Sequence, residues 1–204
     1  MKKNIPCPCG KVFSAEYEEE TDLDRNPEFI DKILDGTYIN FTCPDCEKVH
    51  KPEYPVSLLW QSKKLNFEVL PEMDRGEFYR RKKANADFET IIGYQELADR
   101  IAVVRDGLEP VAIEALKYYL LIKAEETYPD LEISAWYQGN VSGGIEFHLY
   151  GITSDEVAVM RIPREVYEKT LEDYRKHPGK DIFASLRIRS YLSVQNITRP
   201  DFLK

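Results

Sequence analysis

The sequence predicts an α+β fold, with strands and helices segregated along the chain rather than alternating. Three observations support it. All four cysteines of the 204 residues fall in the first quarter, in two tight clusters, Cys7-Pro8-Cys9-Gly10 and Cys43-Pro44-Asp45-Cys46, with strand-like segments and one short helical pattern around them. Two helical patterns then follow one another at 94–104 and 110–127. Three short segments at 133–138, 145–150 and 157–162 read as an antiparallel sheet. The predicted architecture is an N-terminal zinc-ribbon-like β module with an inserted helix, followed by an α+β domain with an antiparallel sheet.

Each element has a local reason. Residues 11–20 alternate weakly through Val12, Phe13, Ala15 and Tyr17, as a strand leaving the first cluster would. Asn26-Pro27 opens a short helix with Pro27 at its first position, where a missing N–H costs nothing. Phe29, Ile30, Ile33 and Leu34 share one apolar face, and Gly36 closes the helix as a C-cap. Residues 38–41 read as a strand delivering the chain to Cys43, and 56–60 and 65–70 as two more, the last closed by Pro71. The predicted domains are a metal-binding module over 1–75, a linker over 76–93 containing Arg80-Arg81-Lys82-Lys83, and an α+β domain over 94–204.

In the second domain, Leu97, Ile101 and Val104 line one face of a helix that ends at Gly107. The next helix starts at Pro110, and its Ala112, Ile113, Ala115, Leu116, Tyr119, Leu120 and Ile122 cover so broad an arc that it should be the most buried. Tyr128-Pro129 stops it. Gly143-Gly144 and Ser154-Asp155 are the turn signals between the three strands. Pro163 starts a last helix, with Val166, Tyr167, Thr170, Leu171 and Tyr174 on one side and His177-Pro178-Gly179 at its end. Residues 186–194 read as a final strand.

Composition narrows the function. With 43% hydrophobic and 12% aromatic residues the chain can bury a core. It has no apolar run of membrane-spanning length, and Met1-Lys2-Lys3-Asn4-Ile5-Pro6 leads into cysteine rather than a signal-peptide core. The expected location is cytoplasmic, where reducing conditions favour metal-bound thiolates over disulfides. A formal net charge of −8 repels phosphate backbones, so nucleic acid is disfavoured and a protein partner is expected.

The cysteines are the strongest chemical signal. Two turns, each presenting a pair of thiolates, supply the four ligands of a tetrahedral site, so Cys7, Cys9, Cys43 and Cys46 are the predicted metal ligands. Soft thiolates in that arrangement suit Zn2+ in a structural role. Alternatives stay open: three cysteines completed by His50, an iron–sulfur cluster, or a thiol-redox protein in which Cys7 and Cys9 form a strained disulfide.

No catalytic residue set and no organic-cofactor site emerges. Glu146, His148 and Tyr150 alternate onto one strand face and could form an acid/base cluster, but they read first as the polar side of a half-exposed sheet. Arg187 and Arg189 share a face in the final strand under the same reading. Gly143-Gly144 lacks the Gly-Lys-Ser/Thr of a phosphate loop, and neither Gly-x-Ser-x-Gly nor His-Glu-x-x-His occurs. A noncatalytic, metal-stabilised scaffold for protein partners is therefore expected, with regulatory nucleic-acid binding and thiol redox chemistry as the alternatives.

Several pieces together resemble a known bacterial family. They are Cys7-Pro8-Cys9-Gly10, Leu34-Asp35-Gly36, Phe41-Thr42-Cys43-Pro44-Asp45-Cys46, Tyr54-Pro55 and Leu70-Pro71-Glu72, which over about residues 5–73 resemble the CpXC family, named for paired Cys-Pro-X-Cys motifs. The stretch 94–121, with Asp106-Gly107-Leu108 and Ile113-Glu114-Ala115-Leu116-Lys117, is similar to the segment that follows in longer members. The resemblance implies a metal-binding module and adds no reaction. The first motif here is Cys-Pro-Cys, one residue shorter than the family pattern, which makes its turn the point on which four-sulfur coordination depends.

Overall fold

The computed structural model describes residues 1–81, 87–153 and 156–198. The architecture is α+β, an N-terminal module of strands and short helices followed by a mixed region with an antiparallel sheet. The chain forms two compact units, Met1–Ala98 and Asp99–Lys204. Lys82 and Lys83 of the basic run and the Ser154-Asp155 turn signal lie outside the described residues.

The first unit starts with a hairpin of β1 (Lys2–Pro6) and β2 (Val12–Glu16), paired from Lys2↔Glu16 to Pro6↔Val12. A second, very short hairpin joins β4 (Phe41–Thr42) to β5 (Val49–His50), with Phe41 opposite His50. Between them lie β3 (Glu20–Asp22) and helix α1 (Glu28–Leu34), whose apolar face buries Ile33. The unit's own sheet runs β3-β6-β7-β8, with β6 (Val56–Trp60) antiparallel to β7 (Leu65–Leu70), and β3 and β8 (Glu89–Ile92) added parallel at either side. Leu58, Phe67, Val69, Ile91 and Ile92 of this sheet are buried. Helix α3 (Tyr94–Arg105) begins within the unit.

Two expectations change here. Residues 38–41 are not a strand: Ile39 takes a left-handed φ of 53°, and only Phe41 and Thr42 pair. The stretch 76–93, read as a linker, contains most of helix α2 (Arg75–Arg80) and strand β8. Arg75 anchors this stretch from inside. Its guanidinium donates to Glu72 Oε1 (2.6 Å), Glu96 Oε1 (2.7 Å) and the Ile92 carbonyl (3.1 Å) while only 3% exposed. A planar fork reaching three acceptors suits arginine and not lysine.

The second unit packs α4 (Pro110–Thr127) and α5 (Arg164–Lys176) with a three-stranded antiparallel sheet of order β11-β10-β9, formed by β9 (Ser134–Val141), β10 (Gly144–Tyr150) and β11 (Ala158–Pro163). Ile145, Phe147 and Leu149 are buried, as the alternation in β10 requires. The turn into β10 needs glycine twice: Gly143 sits at φ +86°, and a Cβ on Gly144 would stand 2.4 Å from the Ile162 carbonyl oxygen. The single final strand expected at 186–194 is instead a tiny hairpin, β12 (Arg187–Ile188) and β13 (Tyr191–Leu192), because Arg189 turns the chain at φ 57°. Arg187 is therefore in a strand and Arg189 in its turn. Short helices α6 (Asp181–Ser185) and α7 (Gln195–Thr198) flank this hairpin.

Candidate metal centre

Each cysteine pair sits in the turn of one hairpin. In the first, the Cys7 N–H donates to the Lys11 carbonyl (2.8 Å) and the Gly10 N–H to the Cys7 carbonyl (2.9 Å). In the second, the Cys43 N–H donates to the Lys48 carbonyl (2.9 Å) and the Glu47 N–H to the Cys43 carbonyl (3.0 Å). The first turn thus closes one residue earlier, matching its shorter motif. In both, the residue after the second cysteine is left-handed: Gly10 at φ 88° and Glu47 at φ 58°. The tighter turn carries the glycine, which reaches that angle without a Cβ penalty.

The two turns bring the four sulfurs together, all within 4.8 Å of one another. Cys7 Sγ lies 3.5 Å from Cys46 Sγ, and Cys9 Sγ lies 3.9 Å from Cys43 Sγ. A tetrahedral ion with metal–sulfur bonds of about 2.3 Å holds its sulfurs about 3.8 Å apart, so the cage is geometrically able to hold a metal ion. The shortened motif still delivers both of its sulfurs. Cys7 and Cys43 are buried, Cys9 and Cys46 exposed, and none is in a disulfide.

The surroundings push the thiols in different directions, Cys43 down and Cys7 and Cys46 up. Burial is the largest influence on Cys43 and works against ionisation. The amides of Asp45 and Cys46, with the thiols of Cys7 and Cys46, overcome it and bring Cys43 down to about 7. At Cys7 the Cys9 amide favours the thiolate, but burial and the neighbouring sulfurs outweigh it and push this thiol up to about 12. Neighbouring sulfurs this close do not all ionise together without a positive charge between them.

Mechanical reasons also call for a clamp. Two-stranded hairpins are marginal in water. The first hairpin buries only Ile5 and Ala15 of its strands, and the second pairs two residues with two. An ion bound by both turns would supply the closure that so little apolar burial cannot.

The family model for CpXC protein matches residues 5–117, which include all four cysteines. This chain belongs to the CpXC family. A chain of Treponema pallidum (strain Nichols), described as an uncharacterized protein, is 30% identical over 214 residues, covering 95% of this chain and 97% of its own length. No solved structure matches.

Other candidate residues of the CpXC chain fall elsewhere. His50 does not join the set of four sulfurs; its Nε2 stands 3.3 Å from Cys7 Sγ alone among them, and its ring meets Phe13 edge-on at 5.4 Å. The three-cysteine site completed by His50 is therefore not the set the structure closes, although His50 reaches a sulfur 43 positions away. Glu146 receives a hydrogen bond from Arg161 Nε (2.7 Å) directly across the strand pair, with His148 Nε2 3.7 Å from its other oxygen. That is a cross-strand ion pair on a half-exposed sheet face. Arg81 of the basic run pairs with Glu77 one helical turn before it (2.8 Å). A cleft of about 500 Å³ in the first unit is lined by Leu34, Gly36, Asn40, Lys51, Glu53 and Tyr94, placing the Leu34-Asp35-Gly36 motif on its wall. Among the described residues, no helix is long and apolar enough to cross a membrane.

Proposed function

We propose that the first unit is a structural zinc module in which Cys7, Cys9, Cys43 and Cys46 hold one Zn2+, and that the protein is a noncatalytic cytoplasmic scaffold for a protein partner. The observation that carries the metal reading is the closure of all four sulfurs within 4.8 Å from two turns 34 or more residues apart. Soft sulfur donors in a tetrahedral cage select zinc over hard cations, and a closed four-sulfur site without an open position suits structure rather than hydrolysis.

When bound, the ion would supply a cross-link between the two hairpins and neutralise much of the thiolate charge. The chain's own residues do the rest: the amides of Cys9, Asp45, Cys46 and Lys48 aim at the sulfurs, and Gly10 and Glu47 turn the chain away from the cage. The acidic surface favours protein over nucleic acid as a partner, and the cleft beside Lys51 offers a concave surface for one.

Melting the purified protein with and without a strong chelator tests the reading. A structural site loses a metal-dependent transition on chelation, and Cys43→Ser or Cys46→Ser reproduces that loss. Variants that melt as the untreated wild type does would overturn it.

A further inference from the structure

We propose that His50 is a positioning residue of the metal centre, donating an Nε2–H hydrogen bond to the Cys7 thiolate from outside the cage in place of an amide that the shortened Cys-Pro-Cys motif lacks. The proposal rests on the metal reading above and asks which group completes the surroundings of one sulfur.

The argument starts from the two turns. After Cys43 come Pro44, Asp45 and Cys46, and the amides of Asp45 and Cys46 both aim at Cys43 Sγ. After Cys7 come Pro8 and Cys9. Proline has no N–H, so within the motif Cys9 alone can donate an amide to Cys7 Sγ, and it does. Deleting one residue from the motif therefore deletes one N–H···S donor. At that sulfur the structure places a nitrogen, His50 Nε2, at 3.3 Å.

His50 is well held for this task. It belongs to β5 and pairs with Phe41, so the second hairpin fixes its backbone. Its ring lies edge-on to Phe13 of β2, so the first hairpin fixes its orientation. The imidazole thus bridges the two hairpins beside the sulfurs, whose own set closes without it. A tetrathiolate zinc site carries a net charge of −2, and each N–H donor withdraws part of it from a sulfur. Outer partners of this kind typically change metal affinity by about 10–100-fold when removed.

The test uses Co2+ as a spectroscopic probe, and Zn2+ release to a chelator, in the full chain with His50 intact, His50→Phe and His50→Gln. Phenylalanine keeps a ring against Phe13 without a donor, and glutamine restores a side-chain N–H. The expected result is a four-sulfur Co2+ spectrum in all three, Zn2+ release at least about tenfold faster in His50→Phe, and substantial rescue in His50→Gln. Metal-free melting should be the same in all three, which separates the hydrogen bond from packing. Release unchanged in His50→Phe overturns the proposal while leaving the metal site standing. A three-sulfur, one-nitrogen spectrum that His50→Phe abolishes also overturns it, making His50 a ligand. A wild-type chain with four reduced thiols that takes up no Co2+ refutes the metal reading itself, and this proposal with it.

Discussion

Lys117 and Asp99 form a buried ion pair in the second unit, Nζ to Oδ2 at 2.5 Å, with both side chains about 95% buried. Glu114 Oε1 lies 2.7 Å from the same ammonium. The remaining carboxylate oxygens accept backbone amides, Asp99 Oδ1 from Tyr137 (2.6 Å) and Glu114 Oε2 from Val194 (2.7 Å). Arg100 donates to the Leu192 carbonyl at 2.9 Å. Burial opposes the charge on Lys117, yet the two carboxylates hold its pKa above the ordinary lysine value. One charged cluster therefore pins α3, α4, β9 and the C-terminal hairpin together. Lys117→Met leaves Asp99 buried without its cation and Glu114 with only the more distant Arg100 (3.9 Å), and should cost about 3–5 kcal/mol in urea unfolding. A loss below about 1 kcal/mol would show that the pair is not needed.

Alkaline pH should weaken the fold through its buried tyrosines. Burial, the first cause in each case, pushes Tyr79 up to about 12 and Tyr94 and Tyr137 higher still, with Asp106 adding to the shift at Tyr137. In the unfolded chain these protons leave near pH 10, while the folded chain keeps them. Lys117 shifts the same way. The folded state then binds more protons than the unfolded one, so stability holds below about pH 10 and falls as pH rises beyond it. Denaturant midpoints across that range, with tyrosinate absorbance read in parallel, check this; midpoints that stay constant to about pH 12 contradict it.

Glu53 ties the head of α3 to the segment just before α2. Its Oε1 accepts the Tyr94 N–H at the head of α3 (2.8 Å), and its Oε2 accepts the Glu72 N–H (2.6 Å). Glu53→Ala should lower stability by about 1–2 kcal/mol, read from thermal or denaturant melts, and Glu53→Gln should recover part of it because one oxygen remains.

Much of the fold was legible because local chemistry and final environment agree. Strands β6 and β7 and helix α4 occupy the ranges that alternation, Pro71 and Pro110 indicate. The cysteine pairs were legible because spacing alone brings thiolates onto turns. What was hidden depends on distant partners. Strand β1 reads Lys-Lys-Asn-Ile-Pro and buries only Ile5, so it has no pattern of its own. Strand β8 follows a basic stretch and is a strand because β7 pairs with it from Phe67↔Glu89 onward. Asp99, Arg100, Glu114 and Lys117 look like solvent-facing helix residues until each is placed against the others. Glu53 caps a helix 41 positions away, and His50 reaches a sulfur 43 positions away.

Metal removal should free the knuckle amides before it affects paired strands. The Cys7 and Cys43 N–H groups donate within turns that little else holds. Amide hydrogen exchange at these two positions should be slow in the metal-loaded protein and faster by at least about tenfold after chelation. Equal exchange in both states would mean that the turns hold without an ion.

The central claim is that one ion joins Cys7 and Cys9 to Cys43 and Cys46. Elemental analysis of protein purified without added metal, combined with thiol titration under native conditions, tests it most directly. One zinc per chain, with all four thiols protected until a chelator is added, is the predicted result. Protein free of bound metal, whose four thiols react at once and whose melting ignores zinc, would contradict it.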